Sequence, residues 1–187
     1  MPPKIKVTTQ EIIQTATELV RQSGESAINA RSIAKALNCS TQPIFSNFSS
    51  MEEVRTALLA EAQTIVEDYI ARETASGLYP PYKASGMAYI RFAKEEKELF
   101  KLLYMRTRKE DDYSKDEKLF DQMIYLVEET TGLAKENSSL FHLEMWAYVH
   151  GIATMFATGF LSLDWEIVSQ SITDVYQGLK KQYKIEE

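Results

Sequence analysis

The stretch ARSIAKALNCSTQPIFSNF, residues 30–48, decides the fold of the N-terminal part of the chain. Its pattern predicts a short amphipathic helix, a turn of about four residues and a second short helix, which together form a helix-turn-helix. Such a motif needs a small residue where its helices cross, and Ala34 lies there. It also needs a turn residue that tolerates a left-handed backbone, such as Asn38. Ile44, with Phe48 beyond it, supplies the apolar anchor of the second helix.

Capping signals bound the helices of this N-terminal part. Ser, Thr and Asn side chains accept hydrogen bonds from the first backbone N–H groups of a helix, and a Glu three residues later completes a capping box. The expected N-caps are Thr8 with Glu11, Asn29, Ser40, and Ser50 with Glu53. Gly24 is placed to end the first helix, and the helix that opens at Ser50 is expected to reach about residue 73.

The rest of the chain is also predicted to be helical. Residues 77–81 form the clearest linker, and no later run alternates apolar and polar residues as a strand would. Helices are expected over 82–94, 96–105, 116–131, 139–162 and 165–183, with a charged loop over 106–115 and a break over 132–138. We therefore predict an all-α fold with an N-terminal three-helix helix-turn-helix domain, residues 1–50, and a C-terminal helical-bundle regulatory domain, residues 51–187.

The composition fits a globular protein of the cytoplasm. Of the 187 residues, 44% are hydrophobic and 26% are charged, which rules out wholesale disorder. The single cysteine, Cys39, cannot form an internal disulfide, which fits a reducing compartment. The first residues lack the apolar core of a signal peptide. Residues 145–163 carry no Asp, Glu, Lys or Arg but include His150 and two Gly, so they suit a buried helix better than a membrane span.

The charge of the chain is unevenly distributed. Residues 1–55 hold six basic and five acidic side chains, a net charge of +1, so the total of −6 leaves −7 on residues 56–187. An acidic surface repels nucleic acid, which excludes nonspecific binding through the whole surface. A near-neutral N-terminal domain joined to an acidic body remains compatible with local contact to DNA.

The second motif helix offers short polar side chains for such a contact. Those expected to face outward are Thr41, Gln42, Ser46 and Asn47. Side chains of this kind hydrogen-bond base edges or phosphates, and the amide of Gln42 suits a bidentate pairing with adenine. Backbone N–H groups at the helix ends near Asn29 and Ser40 can meet phosphate oxygens. The same pattern is also typical of a solvated helix face.

Several runs of the sequence resemble one family of regulators. IIQTATELV (12–20), ARSIAKAL (30–37) and STQPIFSNFSSMEEV (40–54) are similar to the N-terminal domain of TetR/AcrR-type transcriptional regulators. YIRFAKEEKELFKLLY (89–104) and MWAYVHGIA (145–153) resemble a C-terminal ligand-binding and dimerisation domain of that family. The W-x-x-x-H-G signature of that domain corresponds here to 146–151.

The resemblance implies a function and its partners. It implies a ligand-responsive repressor of transcription that binds a palindromic operator in double-stranded DNA as a homodimer, is switched by a small-molecule effector, and needs no cofactor, metal or membrane. Its implied DNA-binding residues are Asn29, Arg31, Ser40, Thr41, Gln42, Phe45, Ser46 and Asn47.

Three positions depart from the pattern of the family. Asn38 stands where the turn frequently has a Gly, and it tolerates the same backbone conformation. Phe45 stands where a Tyr is usual, and Met51 stands where a Lys often opens the fourth helix. Neither side chain can hydrogen-bond a phosphate, so we expect weaker binding and a weaker salt dependence, with base readout intact.

The C-terminal domain contains candidates for a pocket and for a dimer interface. Aromatic and Met side chains at helical spacing form either plain core or the wall of a cavity between helices. The candidate pocket residues are Tyr89, Phe92, Tyr104, Met105, Met123, Tyr148 and Met155. The resemblance also implies that the last two helices of each subunit form a four-helix dimer interface. Its candidate residues are Val149, Ile152, Ala153, Phe156, Ile172, Val175 and Leu179.

A helical small-molecule-binding protein or an enzyme that never contacts DNA is the competing interpretation. The sequence contains no nucleophile elbow, no H-E-x-x-H and no phosphate-binding Gly-rich loop. Cys39 has no neighbouring His in the sequence, and His142 and His150 lack the further ligands that a zinc site needs. These absences weigh against catalysis.

Overall fold

The structure, a computed structural model, describes residues 7–107 and 110–185, and for residues 110–118 it describes the backbone only. All regular elements in this part of the chain are helices, which confirms the predicted all-α fold. A single 3-10 turn, Glu25–Ala27, follows the first helix. The α-helices are α1 Thr9–Ser23, α2 Ala30–Ala36, α3 Gln42–Asn47, α4 Met51–Ala75, α5 Pro81–Glu95, α6 Lys97–Tyr104, α7 Glu110–Thr131, α8 Lys135–Thr158 and α9 Trp165–Gln182.

These helices form two compact units. The first unit comprises Met1–Glu67 and Glu96–Arg106, and the second comprises Asp68–Glu95 and Thr107–Glu187. The first unit therefore contains α6 as well as α1, α2 and α3, and α4 runs from the first unit into the second. The predicted division into a DNA-binding domain, residues 1–50, and a ligand-binding and dimerisation domain, residues 51–187, remains a prediction.

α1 begins and ends where its capping residues predict. Thr8 Oγ1 accepts a hydrogen bond from the backbone N–H of Glu11 (3.2 Å), and the Glu11 carboxylate accepts one from the backbone N–H of Thr8 (2.8 Å). The backbone hydrogen bond, and then the hydroxyl of Thr8, hold the pKa of Glu11 below its ordinary value. Gly24 ends the helix with φ +75°, a conformation that favours glycine.

Two other caps differ from their predicted form. α3 has Thr41 as its N-cap and no side-chain capping bond, so Ser40 does not cap it. With Thr41 as the N-cap, Pro43 is the second helical residue, so one of the two N–H groups that a capping side chain could bond is missing. At α4, Ser50 Oγ accepts the N–H of Glu53 (3.3 Å) as expected, but the Glu53 carboxylate accepts from the N–H of Ser49 (2.6 Å) instead of Ser50.

The core of the first unit holds the helix-turn-helix in place. Ile12 of α1, Ile33 of α2 and Ile44 of α3 are fully buried, and Phe48, just after α3, is 5% exposed. Asn38 has φ +51° in the turn between α2 and α3, which confirms the predicted left-handed residue. These contacts fix the rotation of α3 about its axis, because its apolar side must face this core.

An ion pair joins α6 to α1 within the first unit. The Arg21 guanidinium donates two hydrogen bonds to the Glu96 carboxylate, each 2.9 Å long, in a bidentate arrangement. The carboxylate of Glu96 is the main cause of the raised pKa of Arg21. The predicted helix over 96–105 is thus present, and the structure assigns it to the first unit rather than to the C-terminal bundle.

The second unit is built around α8. α5, α7 and α9 all pack on this helix. Met87, Ile90 and Phe92 of α5 and Phe141 of α8 are fully buried. A Cβ on Gly86 of α5 would lie 3.5 Å from the nearest methyl of Val149, so the two helices approach closely there.

The bounds of two helices differ from the prediction. α7 begins at Glu110 rather than at residue 116, because a charged run does not exclude a helix and Glu and Lys are good helix formers. α8 begins at Lys135 rather than at residue 139 and ends at Thr158 rather than at residue 162. Gly159 ends it in the left-handed conformation with φ +70°, a common way for a helix to stop.

A pair of neighbouring substitutions tests the rotation of α3. Ile44 is fully buried and Phe45 is 52% exposed. We expect Ile44→Ala to lower the free energy of unfolding of the first unit by about 2–5 kcal/mol. Phe45→Ala should change it by less than about 0.5 kcal/mol. Urea unfolding followed by circular dichroism measures both, and equal losses would contradict the observed rotation.

The burial of His142 makes the stability of the second unit depend on pH. Burial lowers the pKa of His142 from 6.5 to about 4, and its Nδ1 lies 2.9 Å from the hydroxyl of Tyr82. Protonation therefore favours the unfolded chain. The contribution of neutral His142 to the free energy of unfolding is complete above pH 6.5 and is lost as the pH falls towards 4.

We expect His142→Gln to remove that part of the pH dependence. The free energy of unfolding of the wild type should fall more steeply than that of the variant over this window, by at most about 1.4 kcal/mol per pH unit. Urea unfolding at a series of pH values measures the difference. A His142 imidazole that titrates at its ordinary pKa in the folded protein, followed by NMR, would contradict the structure.

Candidate nucleic-acid interface

The rotation of α3 turns one continuous arc of its surface outward. Thr41, Phe45, Gln42 and Ser46 follow one another around the helix axis within about 140°, at 100° per residue. Gln42, Phe45 and Ser46 are exposed and Thr41 is partly exposed. Ile44 lies outside this arc, about 60° beyond Thr41 and 160° from Ser46, and is fully buried in the core. The structure thus places these four predicted DNA-binding residues side by side, and we call them the outer face of α3.

The polar groups of the outer face keep part of their hydrogen-bonding capacity. Ser46 Oγ donates to the backbone carbonyl of Gln42 (2.9 Å), which uses its single donor and leaves its oxygen able to accept. Gln42 is exposed at the first residue of α3. Its amide provides both a donor and an acceptor, the pair that bidentate contact with a base edge requires.

Asn47 is turned away from the outer face and towards α1. Its Nδ2 donates to the backbone carbonyls of Pro43 (2.8 Å) and Val7 (3.2 Å), and its Oδ1 accepts from the Thr9 hydroxyl (3.1 Å). Both amide donors are therefore used within the protein, although the residue is exposed. The predicted DNA contact of Asn47 loses its donors in this arrangement, and its amide ties the start of α1 to the end of α3.

α2 presents the remaining predicted residues and a local positive charge. Asn29 Oδ1 accepts the backbone N–H of Ser32 (2.9 Å), as predicted for an N-cap. Arg31 and Lys35 of α2 are exposed, and so is Ser40 in the turn. Two other cations of the first unit are bound to acids: Arg21 to Glu96, and Arg55 to Glu25. Arg31 and Lys35 are thus the two exposed cations of the helix-turn-helix itself.

The candidate pocket residues do not share one unit. Tyr89, Met123, Tyr148 and Met155 are half-buried in the second unit, and Phe92 is fully buried there, with its ring 5.6 Å from that of Tyr69. Tyr104 and Met105 belong to the first unit, where the ring of Tyr104 lies 5.2 Å from that of Phe100. The prediction grouped them because spacing does not show that the chain passes to the first unit at Glu96.

Two tyrosine–histidine pairs connect α5 and α8 in the second unit. The hydroxyl of Tyr82 lies 2.9 Å from Nδ1 of His142, and that of Tyr89 lies 2.9 Å from Nδ1 of His150. The first pair was missed in the sequence. Its signal was the spacing: the tyrosines are seven residues apart and the histidines eight, close to two helical turns in each case.

The W-x-x-x-H-G signature has a structural explanation. The Trp146 ring stacks on the His150 ring with centroids 4.9 Å apart and an angle of 19° between the planes. Residues four apart lie on the same side of a helix, so the spacing produces this stack. His150 in turn bonds Tyr89 on α5, and burial lowers its pKa.

The candidate dimer residues lie mostly in the core of the chain itself. Val149, Ile152, Ala153, Phe156 and Ile172 are 0–6% exposed, and only Val175 and Leu179 are half-buried. The first five therefore pack mainly within the chain, and their place in a dimer interface remains a prediction. α8 is apolar on nearly all sides, so its sequence does not reveal which side faces the core. Large apolar residues on its exposed side are Leu140, Leu143 and Trp146.

The described part of the chain shows neither a metal site nor a membrane span. No group of three or more His, Cys, Asp or Glu residues is placed there to hold a metal ion. None of its helices combines the length and apolar character that crossing a bilayer requires.

Comparison with known proteins identifies the family. Residues 82–175 match the family model described as tetracyclin repressor-like, C-terminal domain. A TetR-like transcriptional regulator from Rhodococcus sp. RHA1 shares the fold with a TM-score of 0.70 and 16% identity, over 96% of this chain and 98% of that one. A TetR-family protein from Vibrio parahaemolyticus gives a TM-score of 0.63 and 15% identity, over 91% and 97% of the two chains. No curated protein sequence matches. The chain belongs to the TetR-like family of transcriptional regulators, as the sequence motifs indicated.

Proposed function

We propose that this protein is a transcriptional repressor that reads double-stranded DNA with the outer face of α3. The observation that carries the proposal is the burial of Ile44, which forces Thr41, Gln42, Phe45 and Ser46 into one outward arc. The major groove of B-DNA admits an α-helix and distinguishes all four base pairs.

The roles of the individual residues follow from their placement. Gln42 reads an adenine through its amide, and Ser46 accepts a hydrogen bond from a base amino group. Arg31, with Lys35 beside it on α2, meets phosphates, together with Ser40 and Thr41 at the start of α3. Such contacts fix the position of the protein on the duplex, whereas the base contacts specify the sequence.

We also propose that the protein acts as a homodimer on a palindromic operator in the cytoplasm. One short helix buries too little surface for tight binding, so two copies must occupy half-sites about 34 Å apart or a multiple of it. The exposed side of α8 supports this assembly, because Leu140, Leu143 and Trp146 are each 41–49% exposed. Beyond them, the loop to α9 holds Phe160, which is 81% exposed.

The regulatory step belongs to the second unit in this proposal. A small-molecule effector binds among the half-buried residues Tyr89, Met123, Tyr148 and Met155 of α5, α7 and α8. α4 transmits the change, because it runs without interruption from the first unit into the second. Altered spacing of the two copies of α3 then releases the operator, and a coupling of about 1–3 kcal/mol is sufficient.

Two substitutions separate base readout from phosphate contact. Duplexes are first selected from a randomised library with the wild-type protein. We expect Gln42→Ala to lose preference for one base in each half-site, at a cost of about 1–3 kcal/mol per contact. Arg31→Ala should weaken binding to all duplexes equally and reduce the slope of log K against log salt by about 1 per half-site.

Fluorescence anisotropy at several salt concentrations measures both effects. Gln182→Ala, at an exposed residue at the end of α9, is the matched control and should leave binding unchanged. The proposal fails when no duplex is enriched, or when Gln42→Ala keeps the base preference of the wild type.

A charge on the exposed side of α8 should separate the subunits. Leu143 is 48% exposed, so Leu143→Glu leaves the core intact but places a carboxylate in the proposed interface, where burial of an unpaired charge is costly. Sedimentation should show a dimer for the wild type and a monomer of about 21.4 kDa for the variant. Tyr125→Glu, at a residue 59% exposed on α7, is the control and should remain dimeric. A dimeric Leu143→Glu variant would exclude this surface.

A further inference from the structure

Phe45 is the apolar member of the outer face of α3. It is 52% exposed, and Met105 is the other large apolar side chain so exposed among the described residues of the first unit. The side chains that anchor this segment in the core are Ile44 and Phe48, which are 0% and 5% exposed. A single exposed apolar side chain is common on protein surfaces, so what distinguishes Phe45 is its place within the outer face of α3, among side chains that can contact a base.

The position of Phe45 limits what that surface can be. Around the helix axis it lies between Thr41 and Gln42, at about 40° from the first and 60° from the second. Any partner that contacts these polar side chains therefore also covers the ring. In the major groove the apolar group that a base presents is the C5-methyl of thymine.

We propose that Phe45 is a specificity-determining residue that packs on the C5-methyl group of a thymine in each half-site. The proposal rests on the proposed DNA-binding function and adds a second base to the one read by Gln42. Three residues of helix rise about 4.5 Å, and base pairs are stacked about 3.4 Å apart, so this thymine lies within about two base pairs of the base that Gln42 contacts.

The chemistry of the ring sets the order of preference. Phenylalanine has no hydrogen-bonding group, so it cannot bind a phosphate oxygen or a base amino group by a hydrogen bond. Cytosine lacks the methyl group and presents a polar amino group in its place. Thymine is therefore preferred over cytosine, and also over uracil, which differs from thymine by the methyl group alone.

Replacement of thymine by deoxyuridine tests this contact directly. The probe is a duplex selected from a randomised library with the wild-type protein, and each thymine is replaced in turn. One thymine in each half-site should show a loss of affinity of about fourfold when its methyl group is removed, and about fifteenfold when both half-sites are changed. With Phe45→Ala the affinity falls for both duplexes, and the ratio between thymine and deoxyuridine duplexes approaches 1.

Matched variants separate this contact from other effects. Phe45→Leu retains an apolar side chain and should keep part of the ratio, and Gln42→Ala should keep it in full while losing its own base. Circular dichroism confirms that each variant is folded. When Phe45 instead contacts another copy or another protein, Phe45→Ala changes self-association or leaves the ratio unchanged, and the inference is overturned. Wild-type binding without any methyl-sensitive thymine overturns it alone, whereas failure to enrich any duplex overturns the proposed function as well.

Discussion

The burial of Ile44 is the constraint on which the outer face of α3 depends. α3 is only six residues long, too short to be stable as an isolated helix. Both its stability and its rotation about its axis therefore depend on packing. Its orientation comes from one fully buried side chain, with Phe48 beside it, packed on the core of the first unit. A rotation of α3 by one residue, about 100°, would bury part of the polar arc and expose the anchor. Packing in the core of the first unit therefore determines which side chains of α3 are exposed to a partner.

Local signals in the sequence predicted the first unit well. Thr8 with Glu11, Asn29 and Gly24 act on groups within a few residues, so their effect is visible in the sequence. The predicted cap at Ser40 was wrong, because α3 has Thr41 as its N-cap, one residue later than predicted. The hydrogen bonds of Asn47, by contrast, could not be predicted from neighbouring residues. Its partners Val7 and Thr9 lie about forty residues earlier, and no pattern within α3 distinguishes a base-reading amide from one that binds α1.

The second unit was predicted less well, because its features depend on which helix faces which. α8 is apolar around most of its circumference, so periodicity did not separate the side that faces α5 from the side that faces solvent. The four dimer candidates on α8, Val149, Ile152, Ala153 and Phe156, lie on its buried side for that reason. The pocket candidates were divided at Glu96, where a single residue separates α5 from α6 and the chain passes to the first unit. The apolar content of a segment does not show on which of the two units it packs.

Under the proposed function, the few exposed charges of the motif make base contacts more important for DNA binding than electrostatic attraction to phosphates. α2 keeps Arg31 and Lys35 exposed, whereas Arg21 and Arg55 are bound to carboxylates. Met51 opens α4 where the family pattern often has a Lys, and Phe45 stands where it usually has a Tyr. A missing Lys reduces the salt-dependent part of the affinity, which does not depend on sequence. In the proposed complex, the Gln42 amide and the exposed Phe45 ring therefore supply a larger share of the binding free energy through contacts to the bases.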